Sequence, residues 1–222
     1  MGDRHLWSRM CIVTLAVVTA GSGPATARAS APQAPATVRQ ASADGALPSG
    51  KAQPRKHTVR VSVDPQQIEI DDGDTVFIHW TATNREDVRI LAIDCPETQH
   101  LPHNIPFAQP FGEEARGFAS GVFATATTIE LLRAPTLDPY GRTLGYLFVN
   151  GKNYSVLIVA ARLAEESVTH YGDNGFPQEA AAVLKAARAA GPLPFESPAA
   201  YRLRMRGVSD WMKAHGAYPP TQ

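Results

Sequence analysis

Three short segments concentrate charge where a folded chain seldom tolerates it. Asp72-Gly73-Asp74-Thr75 stands at the start of an apolar alternation. Arg89 interrupts the apolar run Val88 to Ile93, which continues into Asp94-Cys95-Pro96-Glu97. Asp138-Pro139-Tyr140-Gly141-Arg142 is a turn with a charge at each end. Taken singly, each has an ordinary reading: an Asp-Gly turn, a strand end, an exposed hairpin. Arg89 is harder to explain that way. A guanidinium keeps its proton, so a buried one needs an anion or a set of acceptors. Carboxylates favour hard cations, and planar guanidinium forks match the oxygens of a phosphate. The residue types therefore point to chemistry on an oxyanion.

Overall charge sharpens this. The 222 residues carry 21 Lys+Arg and 21 Asp+Glu. Residues 58–195 hold 10 basic and 17 acidic residues, whereas 28–57 hold five and one, and 196–222 hold four and two. A protein that coats nucleic acid by bulk positive charge is excluded. An anionic ligand of the acidic centre must be held by a local cluster of cations or by a metal. Two cysteines exclude a disulfide scaffold, and 44% apolar residues exclude a wholly disordered chain.

The segments "DDGDTV", "VRILAIDCPETQH", "PFGEEA", "DPYGRTLGYLFVNGK" and "RLAEE" stand in the order and spacing of the staphylococcal nuclease (thermonuclease) family. The chain resembles that family over about residues 59–190. The resemblance implies a five-stranded OB-type barrel with three helices. It also implies a calcium-dependent phosphodiesterase that cuts DNA and RNA with little sequence specificity and leaves 3′-phosphate ends. It assigns Asp74 and Asp94 as Ca²⁺-binding carboxylates, with the backbone carbonyl of Cys95 as a further ligand. Arg89 and Arg142 match the phosphate-gripping arginines, Glu97 the general base, and Tyr140 a tyrosine lining the nucleotide site. Tyr171 is the candidate for a second such tyrosine. Three positions depart from the family pattern: Cys95 replaces a threonine, Pro139 a lysine near the phosphate site, and Arg162 a glycine.

These residue types suit the implied chemistry on their own terms. Hydrolysis of a phosphodiester needs an activated water, which Glu97 would deprotonate or orient. Two guanidinium forks would stabilise charge on the phosphoryl oxygens, and a hard cation on two carboxylates would polarise the phosphate. All-oxygen ligation favours Ca²⁺ or Mg²⁺ over zinc. A second function class is a non-catalytic OB-type module that only holds single strands. Asp74, Arg89, Asp94, Glu97 and Arg142 together favour the enzyme, because a binder has no need of all five. A third is a surface-associated accessory protein attached through its basic flanks. His100 and His103 match no strong metal motif and read as loop residues. Asp72 reads equally as a turn residue or as a carboxylate supporting the metal ligands.

The elements that must position these groups are a mixture of strands and helices, an α+β pattern. Val59, Val61 and Val63 alternate, then Ile68 and Ile70, then Val76, Ile78 and Trp80. Thr81 to Asp87 is polar and reads as a hairpin connection, and Val88 to Ile93 as one strand buried on both faces. Prolines 96, 102, 106 and 110 mark a long irregular stretch, followed by a helix over roughly 111–124. Strands follow at Thr127 to Leu132 and Leu144 to Val149. Asn153 is an N-cap candidate for a second helix, and Pro177 opens a third that ends near Gly191. Residues 198–214 read as a possible further helix with Tyr201, Met205, Val208 and Met212 on one face. Arg202, Arg206 and Lys213 then lie away from it.

Residues 1–27 have a charged start, an apolar run from Met10 to Ala20 and Ala25-Thr26-Ala27, the three parts of a secretory signal peptide. Residues 28–57, rich in Ala, Pro and Ser, read as a disordered linker. The nuclease-like domain is expected over 58–195, and 196–222 forms a C-terminal tail. The expectation is a secreted or periplasmic monomer that acts on DNA and RNA.

Overall fold

Residues 50–220 are described by the computed structural model of the chain. The expected signal peptide, residues 28–49 of the expected linker and the last two residues lie outside them. The chain divides into two units, 1–44 and 45–222, and every described residue belongs to the second.

Apolar alternation builds most of the strands where the sequence suggests. Strand β1 (Arg60–Val63) ends at Asp64, whose side chain accepts the Gln66 N–H and starts a one-turn 3-10 helix at Pro65–Gln67. Strands β2 (Ile68–Ile70), β3 (Thr75–Thr81) and β4 (Asn84–Ile90) follow as an antiparallel meander. After β5 (Ile93–Asp94) come helix α1 (Gly112–Ala124), β6 (Ile129–Leu137), β7 (Thr143–Val149) and β8 (Lys152–Asn153). The remainder is α2 (Tyr154–Ala160), β9 (Glu165–Glu166), α3 (Val168–Tyr171), α4 (Pro177–Ala190) and α5 (Pro198–Ala214).

The main sheet runs β1-β6-β7-β4-β3-β2, with β8 beside β7, and β5 pairs separately with β9. The join of β4 to β7 is parallel, with Arg89 opposite Leu144, and all other pairs are antiparallel. Val76, Ile78, Val88, Ile90, Leu131 and Leu147 fill the inside of the curled sheet. Helix α1 closes on them through Ala115, Ala119 and Phe123, and α2 through Ile158. This is the expected α+β fold of OB type, with short extra strands and more helices than the three expected. No helix among the described residues is long and apolar enough to cross a membrane.

Besides β6, which runs past the expected Leu132 to Leu137, two strand boundaries differ from the sequence reading, each for a physical reason. Strand β4 starts at Asn84, inside the expected connection, because its inward residues are Glu86, Val88 and Ile90. A buried carboxylate at the first of these positions conceals the alternation. The run Val88 to Ile93 is not one strand. It breaks at Leu91-Ala92, where Ala92 takes φ 68. The Leu91 carbonyl accepts the Ser155 hydroxyl at 2.8 Å, and the Ala92 carbonyl the Ser167 N–H at 3.0 Å.

Residues 50–57 correct the expected linker boundary, because they are packed on the barrel. Lys51 and Gln53 form backbone hydrogen bonds with Leu137 and Pro135, and Gln53 is buried. The reason is a buried ion pair. Glu86 accepts two hydrogen bonds from Arg133, at 2.7 and 2.8 Å, and both side chains are 3% exposed. Thr143 and Trp80 donate to the same carboxylate, Gln53 donates to Thr143, and the Lys56 carbonyl accepts from Arg133. The N-terminal strap thus supplies an acceptor and cover that a buried guanidinium requires. Burial by itself would raise the Glu86 pKa, but the Arg133 and Thr143 contacts outweigh it and lower the value from 4.5. The stabilisation is therefore complete above the ordinary glutamate range and is lost as pH falls through the lowered folded-state value. Glu86→Ala leaves Arg133 buried without an anion. It should cost about 3–5 kcal/mol, read as a lower urea midpoint at unchanged slope. A midpoint equal to wild type would show that the pair is not needed.

Candidate active site

Two backbone devices bring separate segments to one edge of the barrel. In the loop before β3, the Asp72 carboxylate accepts the N–H groups of Asp74 (2.9 Å) and Thr75 (2.7 Å). One oxygen of its side chain is thus engaged in the turn, and through it the carboxylate fixes the backbone of Asp74, so both readings of Asp72 stand. Gly73 is required there, since a Cβ would lie 2.7 Å from the Cys95 sulfur and 3.0 Å from Ala115. The Tyr154 hydroxyl donates to the Gly73 carbonyl at 2.8 Å and fixes the loop from below. The second device is the Leu91-Ala92 turn. It returns the chain so that the Cys95 N–H donates to Asp74 at 2.6 Å.

Asp74 and Asp94 consequently converge on Arg89. One guanidinium nitrogen pairs with Asp74, and the other donates to Asp94 at 2.9 Å and to the Ile93 carbonyl at 3.2 Å. Arg89 is thus half-buried on anions, as its place in an apolar run requires. Cys95 is buried with its backbone against Asp74, and burial raises its thiol pKa well above the ordinary range.

Glu97 sits beside this group. A buried glutamine that the sequence reading did not single out holds its backbone. The Gln109 N–H donates to the Glu97 carbonyl at 2.8 Å, and the Gln109 side chain accepts the Glu97 N–H at 3.2 Å. Gly112, the first residue of α1, packs so closely that a Cβ would lie 2.3 Å from the Glu97 carbonyl oxygen. Burial raises the Glu97 pKa, although Arg202 opposes the shift.

Arg202 is the second group that sequence reasoning missed. Its spacing sets it away from the apolar face of the last helix, yet α5 carries it into the site. Its guanidinium binds both Asp94 oxygens, at 3.1 and 2.8 Å, and Glu97 at 2.6 Å. The one available signal was the contrast between an acidic centre and a basic tail, which names no residue.

Two of the expected residues stay outside this contact. Arg142 lies in the turn before β7 and pairs with Asp138 at 2.7 Å, with its guanidinium 5.6 Å from the Tyr140 ring centre. Burial raises the Asp72 pKa; Arg89 and, to a lesser degree, Arg142 oppose the shift, so Arg142 still lies within electrostatic reach of this edge. Tyr140 is 86% exposed. It borders a polar groove of about 360 Å³ with Gln53, Arg55, Arg85 and Arg142. Tyr171 is also exposed and, with Ser167, His170 and Ser197, borders a cavity of about 280 Å³ that reaches Asp94. The His100 and His103 rings pack 4.0 Å apart, and among the described residues no three acidic, histidine or cysteine side chains form a ready metal cage.

The donor chemistry still fits a hard cation. Asp74 and Asp94 present oxygens close enough for one guanidinium to touch both, and two carboxylates leave coordination positions for water or substrate.

Fold and site together define an OB-type barrel bearing a carboxylate–arginine cluster at its edge. Residues 87–191 match the family described as staphylococcal nuclease homologue, which places this segment of the chain in the staphylococcal nuclease family. Asp74 precedes the matched residues and Arg202 follows them. Similar proteins include thermonuclease of Staphylococcus intermedius, 34% identical over 94 residues, or 42% of this chain and 53% of that protein. The SPbeta prophage-derived endonuclease YokF of Bacillus subtilis (strain 168) is also 34% identical over 94 residues, which are 30% of its length. Endonuclease YncB of the same strain is 32% identical over 94 residues, 43% of its length. The chain thus spans about a third to a half of these relatives.

Gly112→Ala forces the Glu97 carbonyl or the start of α1 to move. Its expected effect is a modest loss of stability together with a large fall in the activity proposed below, seen by comparing melting temperature with turnover. Full turnover would mean that Glu97 does not depend on this contact.

Proposed function

We propose that this chain is a calcium-dependent nuclease that hydrolyses phosphodiester bonds of DNA and RNA with little sequence specificity and leaves 3′-phosphate ends. The observation that carries the reading is the convergence of Asp74 and Asp94 on one point, with Arg89 between them and Glu97 alongside. The names of the relatives, thermonuclease and endonuclease, support it.

In this reading Asp74 and Asp94 hold Ca²⁺, with the Cys95 carbonyl as a further ligand. The cation, when bound, polarises the phosphate and offsets its charge. Arg89 turns its guanidinium to the phosphoryl oxygens, where fork geometry suits the charge that gathers as the bond breaks. Arg142 leaves Asp138 to grip the phosphate from the other side. Glu97 takes the proton of the attacking water, and the burial that raises its pKa makes it a better base. Tyr140 and Tyr171 offer exposed rings on which bases stack. Flexible single strands present their phosphodiesters more readily than duplex, so they are the preferred substrate. The reading includes export through residues 1–27 and action as a monomer.

The test is digestion of single-stranded and duplex DNA in calcium, in magnesium and in chelator, beside Glu97→Gln. Cleavage is expected in calcium, lost in chelator, and lowered about 10²–10⁴-fold in the variant with calcium binding retained. Strand binding without cleavage would instead make the barrel a binding module.

A further inference from the structure

Helix α5 lies beyond the residues that match the family, yet its Arg202 occupies the acidic site. We propose that Arg202 is a resident counter-cation that competes with the divalent metal: its guanidinium holds Asp94 and Glu97 until the metal displaces it, and so it sets how much calcium the enzyme needs. The inference rests on the reading of Asp74 and Asp94 as cation ligands.

Three observations carry it. First, Arg202 engages both oxygens of Asp94 and one of Glu97, and a single nitrogen bridges the two residues at 3.1 and 2.6 Å. A small cation would make the same kind of link. Second, Arg89 already supplies one positive charge to Asp74 and Asp94. A dication entering beside both guanidiniums would face two like charges at short range, and Arg202 is the one with a free exit. Its side chain is 33% exposed, against 20% for Arg89. Third, α5 is held independently of this contact. Tyr201 and Met205 bury against Ile105 in a cluster separate from the barrel core. The Tyr201 hydroxyl donates to the Phe107 carbonyl at 2.9 Å, and the Tyr218 hydroxyl to the Leu101 carbonyl at 2.8 Å. The guanidinium can therefore swing out while the helix stays docked.

The test is calcium titration by calorimetry on the full chain without nucleic acid, at fixed neutral pH and salt. Arg202→Met keeps the stem and removes the charge, and Arg202→Lys keeps the charge without the fork. Arg204→Met removes a neighbouring charge that pairs only with Glu196 among the acidic groups described. Asp94→Asn removes a ligand, and circular dichroism checks that each variant is folded. Arg202→Met should bind calcium at least tenfold more tightly than wild type. Arg202→Lys should fall between the two, Arg204→Met should match wild type, and Asp94→Asn should bind much more weakly. Equal or weaker binding by Arg202→Met, with wild type binding and Asp94→Asn not, would overturn the competition and leave the cation reading intact. If Arg202→Met does not fold, the Arg202→Lys comparison decides in the same way. No calcium binding by any variant would overturn the reading of Asp74 and Asp94 and this inference with it.

Discussion

Asp74 and Asp94 come from different strand ends and repel each other, so their approach needs a positive charge between them. Arg89 supplies it, because β4 places its side chain between the loop before β3 and the turn that leads into Asp94. The positions of Cys95, Pro96 and Glu97 follow from that convergence. So does the demand for cations at this edge of an acidic barrel, which Arg202 meets from outside the matched family segment. A half-buried carboxylate cluster is stable only when neutralised. Whatever neutralises it therefore competes for the same oxygens.

The same constraint acts a second time on the opposite side of β4. Glu86 and Arg133 are buried together, and the pair is tolerable because Thr143, Trp80 and the Lys56 carbonyl complete its hydrogen bonds. Residues 50–57 cover it. One strand thus carries two inward or half-buried charges, Glu86 and Arg89, each inside an ion-pair group that a terminal extension completes. Around Glu86 and Arg133 the extension is the N-terminal strap, and around Asp94, the partner of Arg89, it is the C-terminal helix with Arg202. The strap has a composition that gives little hint of order and is held by hydrogen bonds to the pair, whereas the helix docks through Tyr201 and Met205 and only then presents Arg202 to the site.

Small residues set the remaining geometry. Gly73 and Gly112 allow close contacts that a methyl group would block, the one with the Cys95 and Ala115 side chains next to Asp74 and the other with the backbone of Glu97. Gln109 ties Glu97 to the chain just ahead of α5 by donating to the Glu196 carbonyl at 2.7 Å. The base candidate and the helix that carries Arg202 therefore share one clamp.

Much was legible in the sequence. Period-two alternation located most strands, Asn153 and Pro177 marked helix starts, and two of the three charged segments named Asp74, Arg89, Asp94 and Glu97, which the fold brings together. Local pattern is written by the residues that make it. What it missed depended on partners distant in sequence. Glu86 hid a strand because its burial is made acceptable by Arg133, 47 positions on. Residues 50–57 looked like linker because their order comes from capping that pair. Arg202 looked like a solvated charge on an amphipathic helix, since helical periodicity gives the face a residue occupies but not what lies opposite. The sequence by itself determined the kinds of element and the chemical character of the site. Only the tertiary structure decided which charges meet, because ion pairing between remote segments depends on distances that no local spacing encodes.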